Sequence, residues 1–180
     1  MDLFLAKSTK KVHYRQKIVE FCNKNSDRNH PDITFTPKGL LYKSEYHPLT
    51  QAASISFICV KSSRMLEDIS VGTQKKWIDF GLTQARYILN NNYLIGYGES
   101  DATTRPSHRA STCPVSIGSS CGTPWRDSNK SNPNKLLGAL VGGPDAFDEF
   151  VEDRKNINSN GVGLDSNAGF SALVSSIYFE

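Results

Sequence analysis

Residues 90–165 combine aromatic, basic and acidic side chains within a stretch rich in Gly, Pro, Ser and Asn. The residues of this stretch whose side chains could bind a ligand or take part in a reaction are Tyr97, His108, Arg109, Trp125, Asp145, Asp148, Glu149, Glu152 and Asp153. Aromatic rings stack on the apolar faces of sugars, and charged groups hydrogen-bond sugar hydroxyls. The mixture suits a carbohydrate site, but a solvated surface loop has a similar composition, and the residues alone leave both interpretations open.

The segment NSNGVGLDSNAG, residues 158–169, has the polar character of an exposed turn that could carry a catalytic carboxylate. It contains no Glu, and its one acid is Asp165. Together with Ser166 and Asn167, Asp165 is suited to capping the helix that follows. The segment is therefore either an active-site loop without its acid or an ordinary helix entry.

Four helices are predicted to position these residues, from the spacing of their apolar side chains. They are expected over residues 8–22, after Pro48, after Thr73 as N-cap, and at the end of the chain around residues 170–177. The stretch between the third and fourth helices is predicted to be one long loop. A loop of this length is uncommon in a compact domain unless it is functional or disordered.

The Gly-Gly-Pro sequence at residues 142–144 is predicted to form a turn. A phosphate-binding loop is not indicated, because no Lys-Ser/Thr pair follows. Asp145 and Asp148 come directly after Pro144, where acidic residues favour the first turn of a helix. A helix start is therefore expected at this point.

The composition excludes several classes of protein. Apolar residues make up 38% of the 180, which is enough for a core. The formal charge of +3 is spread out, so no nucleic-acid partner is expected, and no run approaches the ~20 apolar residues of a membrane span. The opening MDLFLAKSTKK does not have the pattern of a signal peptide. No cofactor motif and no histidine pair at metal-ligand spacing is present, so neither a cofactor nor a metal site is predicted.

The four cysteines fall into two kinds. Cys22 and Cys59 lie in predicted helices with apolar neighbours, and are expected to be small buried side chains. Cys113 and Cys121 bracket the loop CPVSIGSSC and could be bridged in an oxidising compartment. Zinc is disfavoured because no neighbouring Cys or His completes a ligand set. The residues alone leave this disulfide open.

Four segments resemble glycoside hydrolase family 9, the cellulases and endo-1,4-β-glucanases. YLIGYGESDATTRPSHRASTCP is similar to the family's Gly-Phe-Gly…Pro-His-His-Arg-x-Ser-Ser-Cys-Pro block, and PNKLLGALVGGPDAFDEFVEDR to its Pro-Asn-x-Leu-x-Gly-Ala-Leu-Val-Gly-Gly-Pro-Asp block. NGVGLDSNAGF resembles Asn-Glu-Val-Ala-x-Asp-Tyr-Asn-Ala-Gly-Phe. Upstream, TPKGLLYKSEYHPLTQAASISFI matches Thr-Pro-x-Gly-Leu followed by Trp-Gly-Ser-Leu-Arg.

The resemblance implies an all-α fold, a toroid of six helical hairpins with the substrate cleft formed by loops at one end. Four helices are too few for that toroid, so residues 1–180 are predicted to be a C-terminal fragment of the catalytic domain. This fragment would be a partial toroid carrying a long active-site loop region. Its uncovered helix faces favour self-association. The family also implies secretion, and secretion favours the Cys113–Cys121 bridge.

The resemblance further implies an inverting hydrolysis that needs two carboxyl groups. The family's base is an Asp of an Asp-rich motif, and no such segment occurs in these 180 residues. The acid, the Glu of Asn-Glu-Val-Ala, falls on Gly161, which has no proton to donate. The family's further signature Asp falls on Glu152. If the alignment placed Asp153 at this position instead, Arg154 would no longer match the family's residue. Glu152 could replace the acid only if burial raises its pKa.

The same alignment assigns the substrate-binding residues. The family's substrate-binding His falls on Ser107, His108 takes a less constrained place, and Arg109 is retained. Trp125 is expected either to stack on a sugar or to pin the loop. The Trp-Gly-Ser-Leu-Arg segment has become Tyr46-His47-Pro48-Leu49-Thr50, and His47 is expected at the surface.

Three functions follow as hypotheses. The first is a cellulase-type module that descends from enzymes hydrolysing β-1,4-glucan and is predicted to be inactive as this chain. The second is a non-catalytic carbohydrate-binding remnant. The third hypothesis is a truncated copy without an independent role.

Overall fold

The computed structural model describes residues 12–178, with residues 117–119 described by their backbone alone. Its elements, in chain order, are α1 (Val12–Asn25), β1 (Thr34–Phe35), β2 (Leu41–Tyr42), α2 (Pro48–Met65), α3 (Val71–Asn90), α4 (Arg109–Thr112), a 3-10 helix (Val115–Ser120), α5 (Thr123–Arg126), α6 (Ile157–Asn160) and α7 (Leu164–Tyr178). The four predicted helices correspond to α1, α2, α3 and α7. Residues 8–11 of the first prediction lie outside the described residues.

Two predicted helix starts were wrong. The N-cap of α3 is Ser70, whose side chain accepts the Thr73 backbone N–H at 3.1 Å, so Thr73 lies inside the helix. Helix α7 begins at Leu164, before the three predicted caps, and Asp165 therefore stands in its first turn. There a carboxylate faces the positive end of the helix dipole, which is favourable without capping. The side chains of the other two predicted caps bond to neighbouring segments instead.

Helix α2 is the centre of the core and packs against both α3 and α7. Close approach of these helices depends on glycine at two crossings. A Cβ on Gly81 of α3 would meet Val60 Cγ2 at 2.3 Å, and one on Gly169 of α7 would meet Ser54 Oγ at 2.4 Å. The two partner helices are therefore seated against α2 at nearly backbone distance.

The prediction of an all-α fold is confirmed, with one small antiparallel addition. Strands β1 and β2 pair Thr34 with Tyr42 and Phe35 with Leu41. The fully buried Gln84 of α3 holds this hairpin, because its side chain accepts the Leu41 N–H at 2.8 Å and donates to Gly39 O at 3.0 Å. None of the described helices has the length and apolarity to cross a membrane.

Both cysteine pairs are bonded. Cys22 and Cys59 are fully buried, as predicted, but the expectation of two separate thiols was wrong: they join α1 to α2, with Cα atoms 5.3 Å apart. The pairing is not predictable from local sequence, because 37 residues separate the two cysteines. Cys113 and Cys121 are joined across their loop, with Cα atoms 5.7 Å apart. We call these the helix bridge and the loop bridge.

The long stretch between α3 and α7 is mainly irregular, and isolated backbone bridges tie it to itself. No helix begins after Pro144, contrary to the prediction. Asp145 Oδ1 instead accepts the N–H groups of Phe147 and Glu149 in a turn. Asp148 takes a left-handed conformation, with φ 65°, and its carboxylate accepts from Lys38 N and from the Tyr87 hydroxyl. Asp145 is therefore satisfied within its own turn and Asp148 by distant residues, and neither carboxylate stands at a helix start.

Candidate functional site

Two segments predicted to carry site residues meet through a single backbone bridge. Ser107 pairs with Gly161 in parallel orientation, and Ser107 N donates to Asn160 O at 2.7 Å. Gly161 ends the one-turn helix α6, its own N–H donating to Ile157 O. The position aligned with the family's substrate-binding histidine therefore lies beside the position aligned with its acid.

Gly161 lies in a conformation open to any residue, with φ −64° and ψ 144°. Space, not backbone geometry, keeps a side chain out. A Cβ there would lie 2.3 Å from Ile157 O, 2.8 Å from His47 Nε2 and 3.0 Å from His47 Cε1. No carboxyl group stands at this position, and the Ile157 carbonyl and the His47 ring occupy the space where one would begin.

His47 is only 7% exposed, so its predicted surface location was wrong. Its ring Nδ1 lies 3.2 Å from Ser166 Oγ, which also accepts from Thr50 Oγ1 at 2.8 Å. Burial lowers the pKa of His47, and the negative charge of Asp165 and a hydrogen bond with the Ile157 backbone only partly oppose that shift. The ring is accordingly neutral at pH 7 and contributes bulk and hydrogen bonds instead of charge.

Glu152 sits among donors. Its Oε1 accepts from Thr103 Oγ1 and Thr104 Oγ1, both at 2.9 Å, and from Thr104 N, and its Oε2 lies 3.5 Å from Arg105 Nη2. Burial acts to raise the pKa of Glu152, but these hydrogen bonds and the arginine charge together hold it below its usual value. Glu152 is therefore ionised, and the condition for its use as a replacement acid is not met.

A pocket of about 320 Å³ opens beside the Ser107–Gly161 bridge. Its lining consists of the predicted substrate-binding triplet, the loop bridge and further polar groups: Ser107, His108, Arg109, Thr112, Cys113, Cys121, Gly122, Thr123, Arg126 and Arg154. The structure thus brings together the three predicted substrate-binding residues and both cysteines. Three arginines stand in this lining, and it includes no carboxylate.

Within this pocket, local structure fixes the triplet. His108 is the N-cap of α4, and its Nδ1 accepts the Ala110 N–H at 3.3 Å. Arg109 donates from Nη1 to Cys121 O at 3.2 Å, so the loop bridge positions its guanidinium. A guanidinium carries five N–H donors, and this bond uses one of them.

Arg154 is a residue of the pocket that the sequence did not reveal. It is 4% exposed, and its guanidinium donates to Trp125 O, Arg126 O, Ser128 O, Lys130 O and Asn132 Oδ1. Burial and the nearby charge of Arg105 lower its pKa, while Glu152 and Asp153 oppose the shift. The sequence predicts no role for Arg154, because a single Arg that follows an acid-rich run has the pattern of an ordinary surface cation.

Trp125 lies beside the pocket, not in its lining. It belongs to α5, the residue is 38% exposed, and its carbonyl accepts from Arg154 Nη1 at 2.8 Å. The backbone bond pins this segment, while the exposed indole remains accessible. Among the described residues, no group of three or more His, Cys, Asp or Glu could hold a metal ion.

Long helices joined by an irregular region that forms a polar pocket are typical of the α/α-toroid class of carbohydrate-active proteins. Solved structures of that class match this chain. It is similar to an endoglucanase from the termite Nasutitermes takasagoensis, with a TM-score of 0.81 and 31% identity over 98% of this chain and 39% of that one. It is also similar to endoglucanase CelQ from Clostridium thermocellum, solved with cellobiose and cellotriose, with a TM-score of 0.83 and 25% identity over 99% of this chain and 30% of that one.

The model of glycosyl hydrolase family 9 matches residues 3–174, and the chain belongs to that family. A similar relative is Endoglucanase 23 of Oryza sativa subsp. japonica, 31% identical over 77% of this chain and 30% of the relative. Endoglucanase 7 of Arabidopsis thaliana is 42% identical over 54% of this chain and 17% of that protein. The chain thus spans about a third or less of the length of these plant relatives.

Proposed function

We propose that this cellulase-type module binds β-1,4-glucan without hydrolysing it. The observation that carries the proposal is that the aligned binding segment, with its retained Arg109, lies beside an acid position that is glycine. Ser107, His108 and Arg109 line one pocket, while Gly161 beside them carries no carboxyl group. Residues 1–180 then correspond to the C-terminal part of a family 9 catalytic domain.

Loss of the acid bears directly on chemistry. Inverting hydrolysis requires a protonated carboxyl group at the leaving-group oxygen and a carboxylate at the attacking water. Gly161 supplies neither, and Glu152 is held ionised by Thr103, Thr104 and Arg105. A neutral glucan chain, by contrast, needs only hydrogen-bond donors and an apolar face, and Arg109 with the exposed indole of Trp125 provides both. The cello-oligosaccharides in the CelQ structure support this ligand class.

Retention on insoluble cellulose tests the binding half of the proposal. Arg109→Ala and Trp125→Ala should each weaken binding by roughly tenfold, the effect of about 1.4 kcal/mol. Matched controls come from α1: Lys17→Ala removes an exposed cation, and Phe21→Ala removes an aromatic ring that is also 38% exposed. Retention that is unchanged in both site variants, or that falls equally in the controls, would overturn the proposal.

Release of reducing ends from soluble cellulose tests the catalytic half. The unaltered chain should release none above a heat-denatured sample. Gly161→Glu alone should stay silent as well, because the base carboxylate is also needed. Turnover by the unaltered chain would refute the proposed loss of catalysis without touching the proposed binding.

We further propose that the chain works in an oxidising compartment, as a secreted protein does. All four of its cysteines are paired in the structure, and disulfides persist mainly outside the reducing cytosol. Isolation under alkylating conditions followed by mass measurement should find no free thiol. Two or more alkylated cysteines in the native product would contradict this location.

Self-association through exposed helix faces also stays a proposal. Large apolar side chains that remain exposed on the long helices include Val12, Val71, Leu164 and Tyr178. Sedimentation velocity should find a mass that rises with concentration. A constant monomer mass up to about 100 µM would argue against self-association at affinities of practical relevance.

A further inference from the structure

We propose that His47 and Gly161 form a reciprocal pair, in which the His47 imidazole occupies the space from which a side chain at position 161 would start. A side chain at 161 then meets less resistance when residue 47 is small. His47 and the Ile157 carbonyl are thereby the two groups that close the acid position of this chain. The inference does not depend on glucan binding.

The geometry carries the first step. A Cβ at position 161 would lie 2.8 Å from His47 Nε2 and 3.0 Å from His47 Cε1. Real Cβ atoms essentially never approach another heavy atom below 3.0 Å, so the ring or the turn must move. Substitution of Gly161 therefore meets a side chain that arrives from a segment more than 100 residues earlier in the sequence.

The ring cannot yield easily, which is the second step. His47 is 7% exposed, and its Nδ1 lies 3.2 Å from Ser166 Oγ. Because Thr50 donates to Ser166 Oγ at 2.8 Å, the Ser166 proton is free to point at Nδ1. The backbone of His47 is also held, since its N–H donates to Asn158 O at 3.2 Å. A new rotamer would leave buried polar groups unsatisfied.

The backbone at residue 47 gives the third step. His47 has φ 48° and ψ 56°, the left-handed region that glycine enters without steric cost. A glycine at position 47 would therefore keep this backbone conformation while removing the ring.

The contact is not the whole obstacle. A Cβ at 161 would also lie 2.3 Å from Ile157 O, a backbone atom of the preceding turn. Reducing His47 therefore relieves only the ring contact, and a part of the cost must remain. The proposal predicts coupling between the two positions, not free interchange.

A double-mutant cycle measures this coupling. Gly161→Ala should raise the unfolding equilibrium constant in urea by roughly tenfold or more in the native background, as overpacking does. In a His47→Gly background the same substitution should raise it by roughly threefold or less. Gly72→Ala is the control, because its nearest contact, Ser70 Oγ at 3.8 Å, is ordinary and lies away from the ring. It should give the same fold-change in both backgrounds.

Three results would overturn the proposal. The first is an equal fold-change for Gly161→Ala in both backgrounds. The second is failure of Gly161→Ala to fold in either background, since the Ile157 carbonyl alone would then decide. The third is failure of both His47→Gly and His47→Asn to fold, because accommodation of a small left-handed residue at 47 is part of the proposal. Cellulose retention plays no part in this outcome, so the cycle and the proposed function fail separately.

Discussion

Replacing Arg154 with alanine should release the segment that carries Trp125. Arg154 lies under residues 125–132 and donates to four of their carbonyls and to the Asn132 side chain. Most of that segment is exposed, so much of its order depends on this one buried cation. Alanine removes every donor at once.

The magnitude follows from how these acceptors are solvated. A hydrogen bond from a charged donor contributes about 1.5–3 kcal/mol, but carbonyls in an exposed segment regain water when the donor leaves. If two of these hydrogen bonds are lost without replacement by water, the free energy of unfolding falls by about 3 kcal/mol. For a chain of 180 residues, that lowers Tm by roughly 6–12 °C.

Thermal unfolding and limited proteolysis measure the two forms that the loss can take. A global loss lowers Tm, whereas a local one leaves Tm in place and speeds cleavage after Lys130. Arg126→Ala is the matched control, because Arg126 is exposed and pairs only with its neighbour Asp127 at 2.9 Å. An Arg154→Ala chain with unchanged Tm and unchanged cleavage would refute the role assigned to this residue.

Removing the helix bridge by two alanine substitutions should cost about 4 kcal/mol, against about 2.5 kcal/mol for the loop bridge, because their separations are 37 and 8 residues. Equal losses in urea unfolding would contradict that chain-entropy argument. Acidification should also destabilise the chain: burial lowers the folded pKa of His47 below its ordinary value of 6.5, so its contribution to stability is complete above pH 6.5 and is lost as the pH falls through the folded pKa. A His47→Asn chain that shows the same loss of stability on acidification would exclude this source. The folded pKa of Glu152 lies below its ordinary value of 4.5, which gives the same sign at lower pH, so Glu152→Gln should flatten the stability profile below pH 4.5. An unaltered profile would count against the ion pair and hydrogen bonds assigned to Glu152. Tyr87→Phe removes the hydroxyl that donates to Asp148 and should lower the free energy of unfolding by about 1–2 kcal/mol in chemical denaturation. An unchanged free energy of unfolding would mean that water replaces this bond at no cost.

The sequence predicted the long helices because their apolar spacing is a local property. It misplaced the starts of α3 and α7 by a few residues, because several polar residues compete for one cap. Ser70 and Thr73 are both good N-caps, and only the tertiary path of the chain decides between them. The absent helix after Pro144 has a similar cause, since the Asp148 side chain bonds to residues 38 and 87, which lie far away in the sequence.

The site was predictable where a motif carries it and not where distant residues meet. Gly161 and Arg109 follow from alignment, but nothing local places His47 against position 161. The same holds for the helix bridge, whose cysteines resemble ordinary core residues in each helix. Arg154 is a third case, because a buried arginine is recognised by the carbonyls around it, which lie 22 to 29 residues away in the sequence.

The packing of α2 between α3 and α7 has a consequence for the order of synthesis. About 100 residues separate the end of α2 from the start of α7, so the face of α2 that receives α7 stays uncovered while they are made. At a ribosomal rate of about 5–20 residues per second, that interval lasts roughly 5–20 s. During this interval the nascent chain exposes to chaperones and proteases the apolar face of α2 that later packs against α7. A premature stop anywhere before Leu164 would make that exposure permanent.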